Sequence, residues 1–225
     1  MPDTTLLVLQ FAILIFSAIV HEVCHGSMAL YLGDSTAKYS GRLTLNPLKH
    51  FDLFGFVILP IATYLAWGFP VGAAKPVPYN PYNLKNKRWG SALVAVAGPF
   101  SNFVLAGVFA VLFHAVGVLQ TQQGVVLAQI FGIIVFINLL LAVFNLVPIP
   151  PLDGSRVFYA FMPGRIQVRL TFLMRRIHFF FDAYWPLILI AFFFFGPYIL
   201  TPIFNVIYMI VLPLFSLLTG TALNF

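Results

Sequence analysis

Long apolar runs separated by short polar stretches dominate the chain. The runs cover residues 6–31, 53–69, 91–119, 125–149, 184–196 and 198–219. A helix needs about 20 apolar residues to cross a bilayer, and the first, third, fourth and last runs meet that length. The fifth reaches it when the residues from Phe179 onward are included, whereas the second is short and contains Gly55 and Pro60. The pattern predicts an all-α polytopic membrane protein with about five to six transmembrane helices.

The composition supports a lipid environment. The chain is 61% hydrophobic and 8% charged, whereas about a quarter of the residues of a soluble domain are charged. So much apolar surface exceeds what one soluble core can bury. We expect a single integral membrane domain over residues 1–225, with a core at about 6–160 and C-terminal helices at about 179–219. The opening residues MPDTT lack the features of a cleaved signal peptide, so the first run is expected to be retained.

The basic residues predict an orientation. All twelve Lys and Arg residues fall into two zones, 38–88 and 156–176, and the turn at 120–124 has none. Cytoplasmic loops are enriched in Lys and Arg, so we expect both zones inside and the N-terminus and the turn outside. The first zone encloses the 53–69 run. We favour a re-entrant run, which keeps that zone on one side of the membrane, and the alternative is an ordinary short helix that crosses it. The net charge of +6 is then a matter of orientation, and no nucleic-acid partner is expected.

The sequence HEVCH, from His21 to His25, lies toward the end of the first apolar run. Residues four apart share a helix face, so both imidazoles can reach one zinc ion. Glu22 lies about 100° round the helix, which suits a general base beside the metal. The alternative is a pair of buried histidines that bond to neighbouring helices. Because three ionisable side chains within five residues are costly in lipid, the motif favours a metal site.

A catalytic zinc site needs a third protein ligand. Asp153 is the strongest candidate because it follows the fourth run in NLVPIPPLDG, where prolines forbid further helix. We expect extended backbone there, with a turn at Gly154. The other candidates are expected to have structural roles: packing at Cys24, a surface or interface position at His50 and His178, and a polar contact within the bundle at His114.

Two motifs together resemble the site-2 protease family of intramembrane zinc metalloproteases, peptidase family M50. They are HExxH at 21–25 and NxxPxPxxDG at 145–154. Three further stretches, GRLTLNPLKHFD, AKPVPYNPYNLKN and VAGPFSNF, resemble bacterial members that lack a regulatory domain. The resemblance covers about residues 6–160.

This resemblance implies the site residues and the cofactor. It assigns one Zn²⁺ per chain, Glu22 as the catalytic base, and as zinc ligands His21, His25 and Asp153. It also suggests that Asn145 contacts substrate near the metal and that Asn102 lines the cleft. A hydrogen bond between helices is the alternative role for Asn102.

The activity implied is hydrolysis of peptide bonds in or near transmembrane segments of membrane-protein substrates, in a bacterial cell membrane. A substrate helix must unwind before water can attack, and a strand edge could hold the opened segment. The alternating stretch at 41–46 is expected to be that strand, and PVPYNP at 76–81 is expected to line the entrance or to act as a stiff linker. The alternatives are an inactive helix-binding relative, which the intact Glu22 argues against, and a metal-dependent transporter.

Overall fold

A computed structural model describes residues 3–58, 61–64, 75–86, 89–118 and 121–221. Its helices are α1 (Asp3–Tyr31), α2 (Thr36–Tyr39), α3 (Pro47–His50), α4 (Trp89–Gly117), α5 (Gln122–Asn145), α6 (Asp153–Phe161) and α7 (Gly164–Thr219). A π-helical turn at Phe54–Ile58 and a 3-10 turn at Pro81–Asn83 lie between α3 and α4. No β-strand occurs within the described ranges, so the helical class is as predicted.

In the described part of the chain, four helical segments are long and apolar enough to cross a membrane. They are Thr4–Tyr31, Trp89–Gly117, Gln122–Asn145 and Phe194–Thr219. These segments match the first, third, fourth and last apolar runs of the sequence. In α7 the backbone leaves helical geometry at Tyr184 (φ −119°, ψ 17°), which divides it into two helices. The fifth run, 184–196, begins at this kink and leads into the last of the four segments.

The chain between α3 and α4 returns close to where it left. The Lys75 N–H donates to the His50 carbonyl at 3.4 Å, and the Lys85 N–H donates to the Leu32 carbonyl at 3.0 Å. The residues that follow the second run are therefore bonded to His50, the last residue of α3, and to Leu32, which comes directly after α1. Much of 53–69 itself lies outside the described residues, so its re-entrant course stays a prediction.

The strand predicted over residues 41–46 is wrong. These residues form turns and bends between α2 and α3, starting at Gly41 with a φ of +64°. At the other end, the Asn46 side chain accepts from the Leu48 N–H at 3.0 Å and caps α3. Alternation predicts a strand only where a neighbouring strand can pair with it, and no such neighbour occurs among the residues that the structure describes.

The main core lies where α4, α5 and α7 pack together. Its buried members are Ala106, Ala110, Val135, Leu139, Val143, Ile207, Val211 and Phe215. The two alanines leave room for close approach of the neighbouring backbones, as small residues do between membrane helices. This packing fixes α4 and α5 relative to each other. Polar side chains of α1 contact these two helices.

Candidate metal centre

Two histidines on α1 converge on one carboxylate. His21 Nε2 and His25 Nε2 each lie 3.1 Å from Oδ2 of Asp153. The two rings meet edge to face, with centroids 4.6 Å apart. Their exposed fractions are only 6% and 8%. The structure therefore brings two buried histidines together with the partly buried Asp153, the three side chains proposed as ligands.

The position of Asp153 depends on how α5 ends. The helix stops at Asn145, as the following prolines predict. The chain then makes turns closed by hydrogen bonds from Ile149 N to the Val147 carbonyl (2.8 Å) and from Leu152 N to the Ile149 carbonyl (2.9 Å). The extended backbone expected here is therefore wrong, because the N–H groups of Ile149 and Leu152 close local turns instead. The turns start α6 at Asp153 and direct its carboxylate to α1.

Two glycines permit close contacts at the site. A Cβ at Gly154 would lie 2.1 Å from the Leu146 carbonyl oxygen, so the start of α6 can approach the Leu146 backbone only because residue 154 has no side chain. A Cβ at Gly98 on α4 would lie 2.4 Å from His25 Nε2 and 2.6 Å from His21 Nε2. Gly154 thus permits a close contact between backbones and does not form the turn that was expected. Gly98 leaves space next to both imidazoles.

The second nitrogen of each ring has its own partner. His25 Nδ1 donates to the Val94 carbonyl at 2.6 Å, and His21 Nδ1 donates to Asn102 Oδ1 at 2.6 Å. A proton on Nδ1 leaves a lone pair on Nε2, so both Nε2 atoms face the Asp153 carboxylate as acceptors. Three acceptors that face one another need a cation or a proton between them. Two imidazoles and a carboxylate, with the rings oriented by second hydrogen bonds, form a donor set that fits zinc.

The same contacts act on the acidity of Asp153. Burial alone would raise the pKa of its carboxyl group. When a proton occupies Nε2 of the rings in place of a metal ion, the hydrogen bonds from His21 and His25 and their positive charge outweigh burial and hold that pKa below its usual value. A positive charge at the two Nε2 atoms is therefore stabilised by an ionised carboxylate.

Glu22 lies next to these side chains with a different partner. Its carboxylate, His21 and His25 each offer a ligand atom within 4.8 Å of the others. Oε2 of Glu22 accepts from the Val77 N–H at 2.8 Å. Because Pro76 and Pro78 have no N–H, Val77 supplies the sole backbone donor of this Pro-Val-Pro stretch. Val77 is 6% exposed, so the 75–80 segment lies against α1 beside Glu22.

The two asparagines proposed to contact substrate differ in their surroundings. Asn102 is fully buried and bonds to His21 on another helix, which favours the alternative of a contact between helices. Asn145 is half-buried at the end of α5, and its Nδ2 donates to the Leu141 carbonyl at 2.9 Å. Its role toward substrate stays a prediction.

The other residues considered as metal ligands lie away from the metal centre, or their side chains are outside the described residues. His114 Nε2 donates to the Leu218 carbonyl at 2.7 Å, which is the polar contact in the bundle that was predicted. His50, expected at a surface or an interface, is fully buried, and its Nε2 donates to the Thr44 carbonyl at 2.8 Å. Cys24 is half-buried with a free thiol. The side chain of His178 lies outside the described residues.

Two residues that the sequence analysis passed over reach the site through Asn102. Asn102 Nδ2 donates to Asn138 Oδ1 at 2.8 Å, and Asn138 Nδ2 donates to Ser17 Oγ at 3.0 Å. The signal available in the sequence is a single asparagine in the middle of an apolar run, since such a side chain needs a partner on another helix.

Comparison with known proteins adds an independent observation. The sequence matches the model of peptidase family M50 over residues 9–129 and 114–181. "Putative zinc metalloprotease YwhC" of Bacillus subtilis is 43% identical over 162 residues, which are 70% of this chain and 71% of that protein. "Putative zinc metalloprotease MJ0611" of Methanocaldococcus jannaschii is 32% identical over 163 residues, 69% of this chain and 73% of that protein.

A mycobacterial relative is longer than the matched region. "Putative zinc metalloprotease Rip2" of Mycolicibacterium smegmatis is 32% identical over 142 residues, which are 62% of this chain but 52% of that protein. The match thus spans about half of Rip2. No solved structure matches the chain significantly.

Proposed function

The chain belongs to peptidase family M50, and on that premise we propose that it cleaves peptide bonds within or next to membrane-spanning segments of other proteins. The observation that carries the proposal is the convergence of two imidazoles and one carboxylate inside a bundle of apolar helices. The family and the named relatives imply Zn²⁺ as the cofactor. The four helices that are long and apolar enough to cross a bilayer support a location in the membrane.

His21, His25 and Asp153 are the proposed zinc ligands. Their three facing atoms are Nε2, Nε2 and Oδ2, and both Nδ1 atoms are already committed to acceptors. Zinc held by these atoms would supply Lewis-acid polarisation of a carbonyl group and would make water more acidic. Three protein ligands leave a further position for the reacting groups, as in other catalytic zinc sites.

Glu22 is the proposed general base and acid. Because Oε2 accepts from the Val77 N–H, the carboxylate is oriented before substrate arrives, and Oε1 is the oxygen that takes the proton of the attacking water. The same oxygen returns that proton to the leaving amine nitrogen as the peptide bond breaks. Proton transfer by a positioned side chain contributes typically 10²–10⁴-fold to the rate.

The depth of the site defines the substrate. His21 lies ten residues before the end of α1 at Tyr31, which corresponds to about 15 Å along the helix. A peptide bond that reaches this depth comes from a segment embedded in the membrane. Its helix must open locally, because a helical carbonyl is already hydrogen-bonded. The 75–80 segment beside Glu22, in which prolines flank Val77, lines the cleft that receives the opened chain.

The proposal is tested on the purified full chain in lipid nanodiscs. Zinc is counted by mass spectrometry, and cleavage is followed on a hydrophobic helical peptide with glycine and proline at its centre. We expect one zinc per chain, cleavage that chelation abolishes, and joint loss of zinc and cleavage in Asp153→Ala. His114→Ala, which removes a histidine outside the site, should retain both. Cleavage that survives complete removal of zinc would contradict the proposal, and bound zinc without cleavage would favour an inactive helix-binding relative.

A further inference from the structure

Three polar side chains are buried where α1, α4 and α5 meet. Ser17, Asn102 and Asn138 have exposed fractions of 2%, 0% and 0%. Amides buried in apolar surroundings are costly unless they are hydrogen-bonded. We call these three residues the asparagine chain, because they form a continuous path of hydrogen bonds that ends at the His21 ring.

Backbone carbonyls determine the direction of each bond in the asparagine chain, because a carbonyl oxygen only accepts. Asn138 Nδ2 donates to the Ile134 carbonyl at 2.9 Å and to Ser17 Oγ at 3.0 Å. Asn138 Oδ1 is therefore the acceptor for Asn102 Nδ2 at 2.8 Å. Asn102 Oδ1 is then left to accept from His21 Nδ1 at 2.6 Å.

We propose that Asn138 is a positioning residue for the metal centre, because it orients the Asn102 amide and thereby holds the proton of His21 on Nδ1. The inference rests on the proposed zinc site. It extends that site to a residue of α5 whose side-chain hydrogen bonds go to Asn102, Ser17 and the Ile134 carbonyl. Its consequence is that Nε2 of His21 stays unprotonated and faces the position of the ion.

Removing Asn138 should release the Asn102 amide. Asn102 Nδ2 would keep a single, long bond to the Ser17 carbonyl at 3.4 Å. The amide can then turn over and present Nδ2 to the imidazole. A ring that faces a donor accepts at Nδ1 and carries its proton on Nε2, where that proton competes with the metal.

A purely structural role makes a different prediction. If Asn138 only joined α5 to α1 and α4, its loss would lower the melting temperature and leave the tautomer of His21 and the affinity for zinc unchanged. Measuring the tautomer in zinc-free protein therefore separates positioning from stability.

The decisive variant is Asn138→Leu, which is close in size and removes both hydrogen-bonding groups. Asn205→Leu is the matched control, because Asn205 is an exposed asparagine on the apolar α7 helix. Zinc affinity is measured by competition with a chromophoric chelator, and tautomers by ¹⁵N NMR of histidine-labelled protein. The His21 signals are identified by their loss in His21→Gln.

We expect Asn138→Leu to weaken zinc binding 10–100-fold, as losses of residues that orient a ligand do, and to shift the His21 proton toward Nε2. Asn205→Leu should change neither property. The double variant Asn102→Leu with Asn138→Leu should lose no more affinity than the worse single variant, since both act through the same bond to His21.

An unchanged His21 tautomer in Asn138→Leu, or additive losses in the double variant, would overturn the inference. If Asn138→Leu does not fold, Ser17→Ala replaces it, because it removes one acceptor of Asn138 Nδ2 and leaves the other. Ser17→Ala should weaken zinc binding by a few-fold, and no change in its affinity or tautomer would likewise overturn the inference. Because the tautomer is read without zinc and without substrate, failure of the proposed protease activity is recognised separately.

Discussion

Glu22 neighbours His21 in sequence, but its carboxylate has a partner of its own in the Val77 N–H. We predict that Glu22→Gln keeps the shape of the side chain and keeps zinc, because the proposed ligands are other residues. Cleavage should fall by about 10²–10⁴-fold, since an amide cannot take a proton from water. The measurement is the cleavage rate of the membrane peptide at equal zinc content.

The control for this prediction is Glu22→Ala, which removes the bond to Val77 as well. It should be as inactive as Glu22→Gln while it also loosens the 75–80 segment, seen as faster hydrogen exchange of the Val77 amide. Normal cleavage by a fully zinc-loaded Glu22→Gln protein would show that another group moves the proton.

At the scale of single residues, the sequence predicts what depends on local spacing. His21 and His25 share a helix face because they are four apart, and the prolines after Asn145 end α5 where expected. The bonds among Ser17 and the two asparagines join residues up to 121 positions apart. No local pattern encodes such a partner, although an asparagine inside an apolar run shows that one is needed.

Gly98 on α4 leaves the space next to the two imidazoles of α1, and this contact supports a prediction. Gly98→Ala would place a methyl group 2.4 Å from His25 Nε2 and 2.6 Å from His21 Nε2. The rings must move apart, so zinc affinity and cleavage should both fall by at least tenfold. Gly107→Ala is the matched control on the same helix, because nothing lies within 4 Å of its added Cβ. Equal zinc affinity in the two variants would contradict this geometry.

The end of α1 is joined to the 75–86 segment by one carboxylate. Asp34 is fully buried and accepts from Thr36 Oγ1 (2.6 Å), the Asn80 N–H (2.6 Å) and Asn83 Nδ2 (2.8 Å). Burial alone would raise the pKa of Asp34, but these hydrogen bonds outweigh it and lower that pKa. The ionised carboxylate therefore stabilises the fold above the ordinary pKa of about 3.9. That contribution is lost as the pH falls through the lower pKa of the folded state.

We predict that Asp34→Asn melts at a lower temperature than the parent protein at neutral pH. The difference in melting temperature should be constant above about pH 5 and should shrink below about pH 4, where the parent loses the contribution of its carboxylate. Thermal unfolding in detergent between pH 3 and pH 7 measures it. A difference that stays constant down to pH 3 would show that the charge of Asp34 is not what stabilises this junction.

At the scale of elements, long apolar runs are predictable and short polar connections are not. The four helices that are long and apolar enough to span a membrane follow from length and hydropathy alone, because a helix satisfies its own backbone hydrogen bonds where lipid offers none. The stretch at 41–46 alternates like a strand, yet it forms turns between α2 and α3. What decides its structure is the absence of a pairing strand among the described residues, together with the cap that Asn46 provides, and neither follows from alternation.

Two predictions concern the topology of the whole molecule: both basic zones lie on one side of the membrane, and His21, His25 and Asp153 bind one ion. If 53–69 crossed the membrane, the chain order would carry Asp153 to the face opposite the two histidines. The bond from the Lys75 N–H to the His50 carbonyl at 3.4 Å supports a run that begins and ends on one side. We therefore predict a topology in which 53–69 begins and ends on one side of the membrane and the basic loops are cytoplasmic.

This topology is tested in cells with single cysteines. Cys24→Ala removes the native thiol, and Lys38→Cys, Lys85→Cys and Gln122→Cys then each introduce one at an exposed position. A thiol reagent that cannot cross the membrane, added outside intact cells, should label position 122 and neither of the others, whereas all three should react after the cells are opened. Labelling of position 38 or 85, but not both, would show that 53–69 crosses. That result would also conflict with the bond from the Lys85 N–H to the Leu32 carbonyl, which holds these two basic segments at the same end of the bundle.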